Sequence, residues 1–200
     1  MRVHLGPPPN ISAAQKNPAY QSTKWNKKYI EIVSAVLSVI LYVGGFFIWP
    51  VKPDVDEIAK APALYTIGFL CAIIVVIIIH EVLHLVASPG GLHSNNAAIG
   101  FNPRKFLFYS FTTARMNWRQ SQFFLLAPLL ILTLVPVLFQ FSIGLPSGWL
   151  GFSAVCNASL SANDVVIAIY IFLRIPNSAI DVQPEITGIK YLTKISNQRG

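Results

Sequence analysis

The sequence carries little charge for its length. Only 12% of the 200 residues are Asp, Glu, Lys or Arg, whereas about a quarter is usual for a soluble domain. Hydrophobic residues make up 54%, and the mean hydropathy is +0.55. Long apolar runs take the place of the missing charge, which excludes an ordinary soluble domain and indicates an integral membrane protein.

Cysteine is also scarce. Cys71 and Cys156 both fall within apolar runs, so the sequence offers neither a disulfide framework nor a cysteine-based metal motif. The formal net charge is +7, but the basic residues flank the apolar runs and form no single stripe. This distribution argues against a nucleic-acid partner and predicts that the lipid bilayer surrounds the chain.

Four apolar runs are long enough to span a bilayer, which needs about 20 residues per helix. The runs cover residues 29–49, 63–88, 123–143 and 149–173. Pro128 and Pro136 are predicted to bend the third run. The segment 89–122 is rich in aromatic residues and threonine, with Gly and Pro breaks, and predicts strand–turn–strand. The expected fold class is an all-α integral membrane protein with four transmembrane helices and a short β-hairpin-like segment between helices two and three.

Charge asymmetry predicts the orientation of these helices. Basic residues precede the first run, lie between the second and third, and follow the fourth, whereas the intervening loops are acidic or uncharged. Because basic loops stay in the cytoplasm, both termini are expected there. The predicted organisation is a flexible cytoplasmic tail (1–28), a four-helix transmembrane domain (29–182) and a cytoplasmic C-terminal tail (183–200).

The stretch "IIIHEVLHLVAS", residues 77–88, places ionisable groups inside one of the most apolar runs. His80, Glu81 and His84 form the pattern H-E-x-x-H. Four residues are about one helical turn, so both imidazoles share one face and can bind a single Zn²⁺. Glu81 stands beside them as a general base for metal-activated water. Two structural histidines that bind no metal are the alternative, but an ionisable residue in a membrane helix is functional by default.

A catalytic zinc site usually has three protein ligands and an open fourth position. The candidates for the third ligand are His4, Glu57, His93, Asp164 and Asp181. Depth favours Asp164, because at about 1.5 Å per residue His80 lies about 26 Å and Asp164 about 23 Å from the outer ends of their runs. Of the other candidates, His4 is in the predicted tail and Glu57 lies on the opposite side of the membrane. The remaining two follow helix ends and are predicted to be loop residues.

Ser161 and Asp164 follow Asn157 by four and seven residues, so all three side chains share one helix face. Asn157 is predicted as a catalytic residue that holds a substrate carbonyl or the developing oxyanion. Hydrogen bonding between helices explains Asn157 and Ser161 equally well, so both interpretations stay open. Asn163 is expected to face elsewhere and is given no role.

At these residues the chain resembles membrane zinc metalloproteases of the site-2 protease type, which place H-E-x-x-H on one helix and an Asp ligand on a later one. It is more similar to a family of small bacterial membrane proteins, the "putative zincin peptidases". The shared features are the H-E-x-x-H helix, Ala127-Pro128 opening the next helix, and N-x-x-x-S-x-x-D, here "NASLSAND". The resemblance covers about residues 63–182 and implies a zinc site in a bacterial cell membrane. Site-2 proteases usually carry an N-x-x-P-x-P-x-x-D-G segment, whereas this chain has no prolines in the segment leading to Asp164 and no Gly after it.

The predicted function is a zinc-dependent intramembrane endopeptidase that hydrolyses peptide bonds through metal-activated water. His80, His84 and Asp164 hold Zn²⁺, and Glu81 takes a proton and returns it to the leaving amine. The expected substrate is a protein, at an unwound transmembrane helix. The alternative is a non-catalytic metal-binding membrane protein, either a scaffold or a transporter. A transporter would need ligands at several depths, whereas this sequence places them at one.

Overall fold

The computed structural model describes most of the chain, and helices dominate it. The described residues are 2–6, 20–49, 55–104, 107–143, 148–185 and 188–193. The helices are α1 (Lys27–Ile48), α2 (Val55–Lys60), α3 (Pro62–Ala87), α4 (Trp118–Leu129), α5 (Val135–Ile143), α6 (Gly148–Leu160) and α7 (Ala162–Arg174). The strands are β1 (Arg2–Leu5), β2 (Gln21–Lys24), β3 (Ala97–Asn102), β4 (Leu107–Thr112), β5 (Ala179–Glu185) and β6 (Gly188–Thr193).

Three helical segments are long and apolar enough to cross a membrane, namely α1, α3 and the run Trp118–Gln140. The helices α6 and α7 pass the same test together, although a bend of 46° separates them. A mostly helical chain with three candidate spans, or four if the bent pair is one span, is consistent with a membrane protein. The expectation of one continuous helix over 149–173 is wrong, because the helix breaks at Ser161.

Two prolines shape the helical run that follows β4. Pro128 lies near the end of α4, and Pro136 is the second residue of α5. Between the two helices, Leu130–Leu134 form a π-helical turn in which the N–H of Val135 donates to the carbonyl of Leu130. Proline has no N–H to donate, so it interrupts the regular helical ladder and favours such local changes of register.

The strands form two three-stranded sheets. The strand–turn–strand predicted between helices two and three is present as the antiparallel pair β3 and β4, and β1 joins β3 in parallel. This arrangement leaves β4 at one edge of its sheet. The second sheet has the order β2-β6-β5. Residues 1–28 and 183–200 were expected as tails, whereas β1, β2, β6 and the end of β5 lie within those ranges.

Asp181 lies in β5 and not in a loop, and it is 1% exposed. The Tyr20 hydroxyl donates to its carboxylate, and Arg115 Nε lies 3.8 Å from it. Burial, together with the hydrogen bond to this carboxylate, raises the pKa of Tyr20 above its usual value. The next residue, Val182, donates its N–H to the Met116 carbonyl at 2.7 Å. Asp181 therefore anchors the second sheet to the segment that leads into α4.

Small residues let the helices approach one another. The helix α1 packs on α6 and α7, and α3 packs on α4, α6 and the strand β4. Gly151 of α6 lies under the buried Trp49 indole so closely that a Cβ built on it would stand 2.0 Å from Nε1. A glycine is required at this position because any side chain would overlap the ring.

We expect Gly151→Ala to lower the free energy of unfolding by about 1–3 kcal/mol, because Trp49 must move to admit the methyl group. Gly44→Ala is the matched control in α1, since a Cβ there meets nothing within 4 Å. The control should be neutral or stabilising by up to about 1 kcal/mol, as expected for Ala replacing Gly within a helix. Unfolding in detergent checks both variants, and equal stabilities would contradict the packing described.

Candidate metal centre

The helix α3 presents both motif histidines on one buried face. His80 and His84 are 6% and 5% exposed, although Ile78, Ile79 and Val86 of the same helix are exposed. The two rings lie edge to face with centroids 4.9 Å apart. The apolar residues around the rest of α3 suit a lipid environment, so the buried face is the one place where the helix presents polar groups to its neighbours.

The break at Ser161 brings Asp164 to these rings from the first turn of α7. Its Oδ2 lies 3.2 Å from His80 Nε2 and 3.3 Å from His84 Nε2, and the two Nε2 atoms are 3.2 Å apart. The three atoms therefore form a nearly equilateral triangle. Within the described part of the chain, His80, His84 and Asp164 form the one set of three His, Cys, Asp or Glu side chains that lie close enough together to share a metal ion.

Hydrogen bonds on the far side of each ring fix a proton on Nδ1 of both histidines. His80 Nδ1 lies 2.9 Å from Asn157 Oδ1, and His84 Nδ1 lies 2.7 Å from the Phe124 carbonyl. Both partners are carbonyl oxygens, which only accept, so each Nδ1 carries the proton. In its neutral form, each ring then directs the lone pair of its Nε2 towards Asp164.

When both rings are neutral, three electron-rich atoms face one another with no proton between them. A single added proton could satisfy one of the three contacts, and two protonated rings would hold like charges on nitrogens 3.2 Å apart. A divalent cation satisfies all three atoms together. Ligands about 2.0–2.1 Å from a tetrahedral zinc ion lie about 3.3–3.4 Å from each other, close to the distances observed here. The donor set and its spacing thus fit zinc.

Asn157 occupies a different position from the one expected of a residue that contacts substrate. It is fully buried, and its Nδ2 donates to the Pro128 carbonyl and to Thr133 Oγ1, both at 2.9 Å. With Oδ1 accepting from His80, the hydrogens and the oxygen of the amide are all engaged. Asn157 therefore orients His80, a common task of residues behind a metal ligand, and has no donor left for an oxyanion.

A cavity of about 420 Å³ opens beside the three side chains. Glu81 and Asn163 line it, together with the potential ligands and with Ile77, Phe108, Tyr109, Ser110, Phe124 and Leu160. Glu81 is thus next to the group, as the motif predicts. Asn163 was expected to face elsewhere, and this expectation is wrong because the bend at Ser161 rotates α7 relative to α6. The change of direction carries no Pro or Gly signal in the sequence.

Three of the other candidates for a third ligand lie apart from this group. His93 is exposed in the short 3-10 helix Gly91–His93, and His4 lies in β1 with its ring against Tyr109 and Phe111. Asp181 belongs to the second sheet. Glu57 lies in α2, but its side chain is outside what the structure describes. Ser161, predicted to share the face of Asp164, is fully buried at the bend.

Candidate membrane spans, two buried histidines and a partly buried aspartate together indicate a membrane protein with a metal-binding site. Residues 73–180 match the family described as "Putative zincin peptidase", and the chain belongs to this family. The family description indicates a zinc metallopeptidase and makes zinc the implied metal. No curated protein and no solved structure matches the chain. The similarity to site-2 proteases stays a prediction.

We expect the purified protein to hold about one zinc ion per chain, and His80→Ala and Asp164→Ala to hold little, because each variant removes one corner of the triangle. His93→Ala is the matched control, since it removes an exposed histidine outside the group. Elemental analysis of protein purified without added metal checks this. Equal zinc in all four proteins would exclude the proposed ligands.

Proposed function

We propose that the chain is a zinc-dependent endopeptidase that cleaves peptide bonds within the membrane, with His80, His84 and Asp164 as metal ligands. The observation that carries the proposal is the triangle of two Nε2 lone pairs and one carboxylate oxygen at the wall of a cavity. A zinc site that serves only structure usually has four protein ligands, whereas three ligands beside open space suit catalysis.

The chemistry that a bound zinc ion supplies is Lewis acidity, which makes water a nucleophile at neutral pH. Glu81 follows His80 directly and lines the same cavity, so its carboxylate can accept the proton of the attacking water. The same carboxyl group can then return the proton to the amine that leaves. The hydrogen bonds from His80 to Asn157 and from His84 to Phe124 hold both rings in place during these steps.

Asn163 is the amide best placed to contact a substrate. It is exposed, lines the cavity and precedes Asp164 in α7. Its Oδ1 accepts from Ser34 Oγ of α1 at 3.3 Å, so the two Nδ2 hydrogens are what the side chain offers to a ligand. A donor next to the metal ligands can hold a peptide carbonyl, which is the task that the sequence suggested for Asn157.

The strand β4 offers a way to bind an extended substrate. It is an edge strand, and Phe108, Tyr109 and Ser110 of β4 line the cavity. A peptide that adds to this edge would run past the potential ligands with its carbonyls accessible, whereas a helical peptide keeps its carbonyls hydrogen-bonded. The apolar part of the cavity lining favours apolar side chains near the cleaved bond, as in an unwound membrane helix.

The alternative function is a zinc-binding scaffold without catalysis. It shares the three ligands with the peptidase but needs no carboxylate beside them. Glu81 is therefore the residue that distinguishes the two functions.

We expect Glu81→Gln to retain zinc at the wild-type level and to lose proteolysis, because Gln keeps the shape of Glu but accepts no proton. Mass spectrometry of membrane-protein termini in cells that express either protein should reveal cleavage products with the wild type alone. His80→Ala should also lack them. Identical termini in cells with wild type and Glu81→Gln would favour the scaffold.

We expect Asn163→Ala to lower kcat/KM by about 10- to 100-fold with zinc content unchanged, as for the loss of one donor to a substrate carbonyl. The measurement is the initial rate of product formation, with a substrate that mass spectrometry of membrane-protein termini identifies. Asn177→Ala, an exposed residue away from the cavity, is the control and should behave as wild type. An unchanged kcat/KM for Asn163→Ala would remove Asn163 from substrate binding.

A further inference from the structure

The bond that orients His84 uses a backbone carbonyl inside a helix. His84 Nδ1 donates to the Phe124 carbonyl at 2.7 Å, and Phe124 lies in the second turn of α4. In a regular α-helix this carbonyl accepts from the N–H four residues later. A helix within a membrane therefore has few carbonyls to offer to a side chain of another helix, since the backbone uses them itself.

The residue four positions after Phe124 is Pro128, which has no N–H. The helix resumes its regular bonding just beyond this gap, where the N–H of Leu130 reaches the carbonyls of Leu126 and Ala127. The bond from position 128 to Phe124 is thus the one that Pro128 itself cannot make. The carbonyl left over by that missing bond is the one that accepts from His84.

Pro128 also supports the second histidine through its own carbonyl. That oxygen accepts from Asn157 Nδ2 at 2.9 Å, and Asn157 Oδ1 accepts from His80 Nδ1 at the same distance. Pro128 itself is buried. Pro128 thus supports both rings. Its missing N–H leaves a carbonyl for His84, and its own carbonyl holds the Asn157 side chain that contacts His80.

We propose that Pro128 is a positioning residue of the metal site, which acts by freeing the Phe124 carbonyl to fix His84 in the metal-binding tautomer. The inference rests on the proposed zinc site and extends it to a residue that touches neither metal nor substrate. With Nδ1 of His84 held as a donor, Nε2 keeps its lone pair for the cation. An N–H at position 128 would compete for the same oxygen and turn the carbonyl back along the helix axis.

The test is the zinc affinity of Pro128→Ala. We expect its Kd for zinc to rise by about tenfold, at the lower end of the effects seen when the group behind a metal ligand is lost. Pro136→Ala is the matched control in α5. The carbonyl four residues before Pro136 is that of Leu132, and none of the described hydrogen bonds to His80, His84 or Asn157 uses it. The control should bind zinc as the wild type does.

A double variant, Pro128→Ala with Leu129→Pro, separates the carbonyl from the kink. It keeps a proline in the same turn but frees the carbonyl of Leu125 in place of that of Phe124. We expect the double variant to bind zinc as weakly as Pro128→Ala. Affinity restored to the wild-type level would show that the kink matters and would overturn the inference.

A second readout needs no metal. The chain has four histidines, so ¹⁵N-histidine NMR of the zinc-free protein resolves the ring nitrogens of His84. We expect the Nδ1–H form in wild type and Pro136→Ala, and a shift towards the Nε2–H form in Pro128→Ala. Equal spectra and equal zinc affinities in the two proline variants would overturn the inference. Wild type that binds no zinc would contradict the proposed function, while the spectra would still decide the role of Pro128.

Discussion

Most of the polar architecture serves one electrostatic constraint, the close approach of three lone pairs in a buried site. Two imidazole nitrogens and a carboxylate oxygen lie 3.2–3.3 Å from one another, and with both rings neutral this arrangement costs free energy unless a cation lies among them. The rings would relieve the repulsion by rotating or by exchanging tautomers. The bonds to Asn157 and Phe124 oppose both movements, so the helices hold the site in the form that binds a divalent ion.

The apolar surroundings that the candidate membrane spans suit give irregular helices a use at this site. In a regular helix the backbone groups satisfy one another and offer nothing to neighbours, and side chains buried in hydrocarbon need partners. Here the exceptions to regularity lie beside the site. Pro128 frees a carbonyl for His84, and the break at Ser161 directs Asp164 and Asn163 towards α3. Asn157 links α6 to α3 and to the π-helical turn, which ties these irregular segments together.

The sequence predicted the potential ligands better than it predicted their surroundings. Helical spacing was enough to pair His80 with His84, and equal depth in two apolar runs was enough to choose Asp164. The break at Ser161 has no Pro or Gly to announce it, so Asn163 was assigned to the wrong face. The interpretation of Asn157 needed its partners on other helices, which spacing within one helix does not reveal. The positions of Asp181 and of β1 depend on pairing between distant segments, for which a local pattern carries no signal.

The peptidase and the scaffold differ in what they require beyond the three ligands. A scaffold gains most from a closed site, since a fourth protein ligand adds binding energy and excludes water. Here the three potential ligands line a cavity of about 420 Å³, together with Glu81 and Asn163. A proton acceptor and a carbonyl donor beside the potential ligands are what the proposed peptidase needs and what a scaffold has no use for. In the proposed peptidase, the edge strand on the same cavity would hold an extended peptide beside those groups.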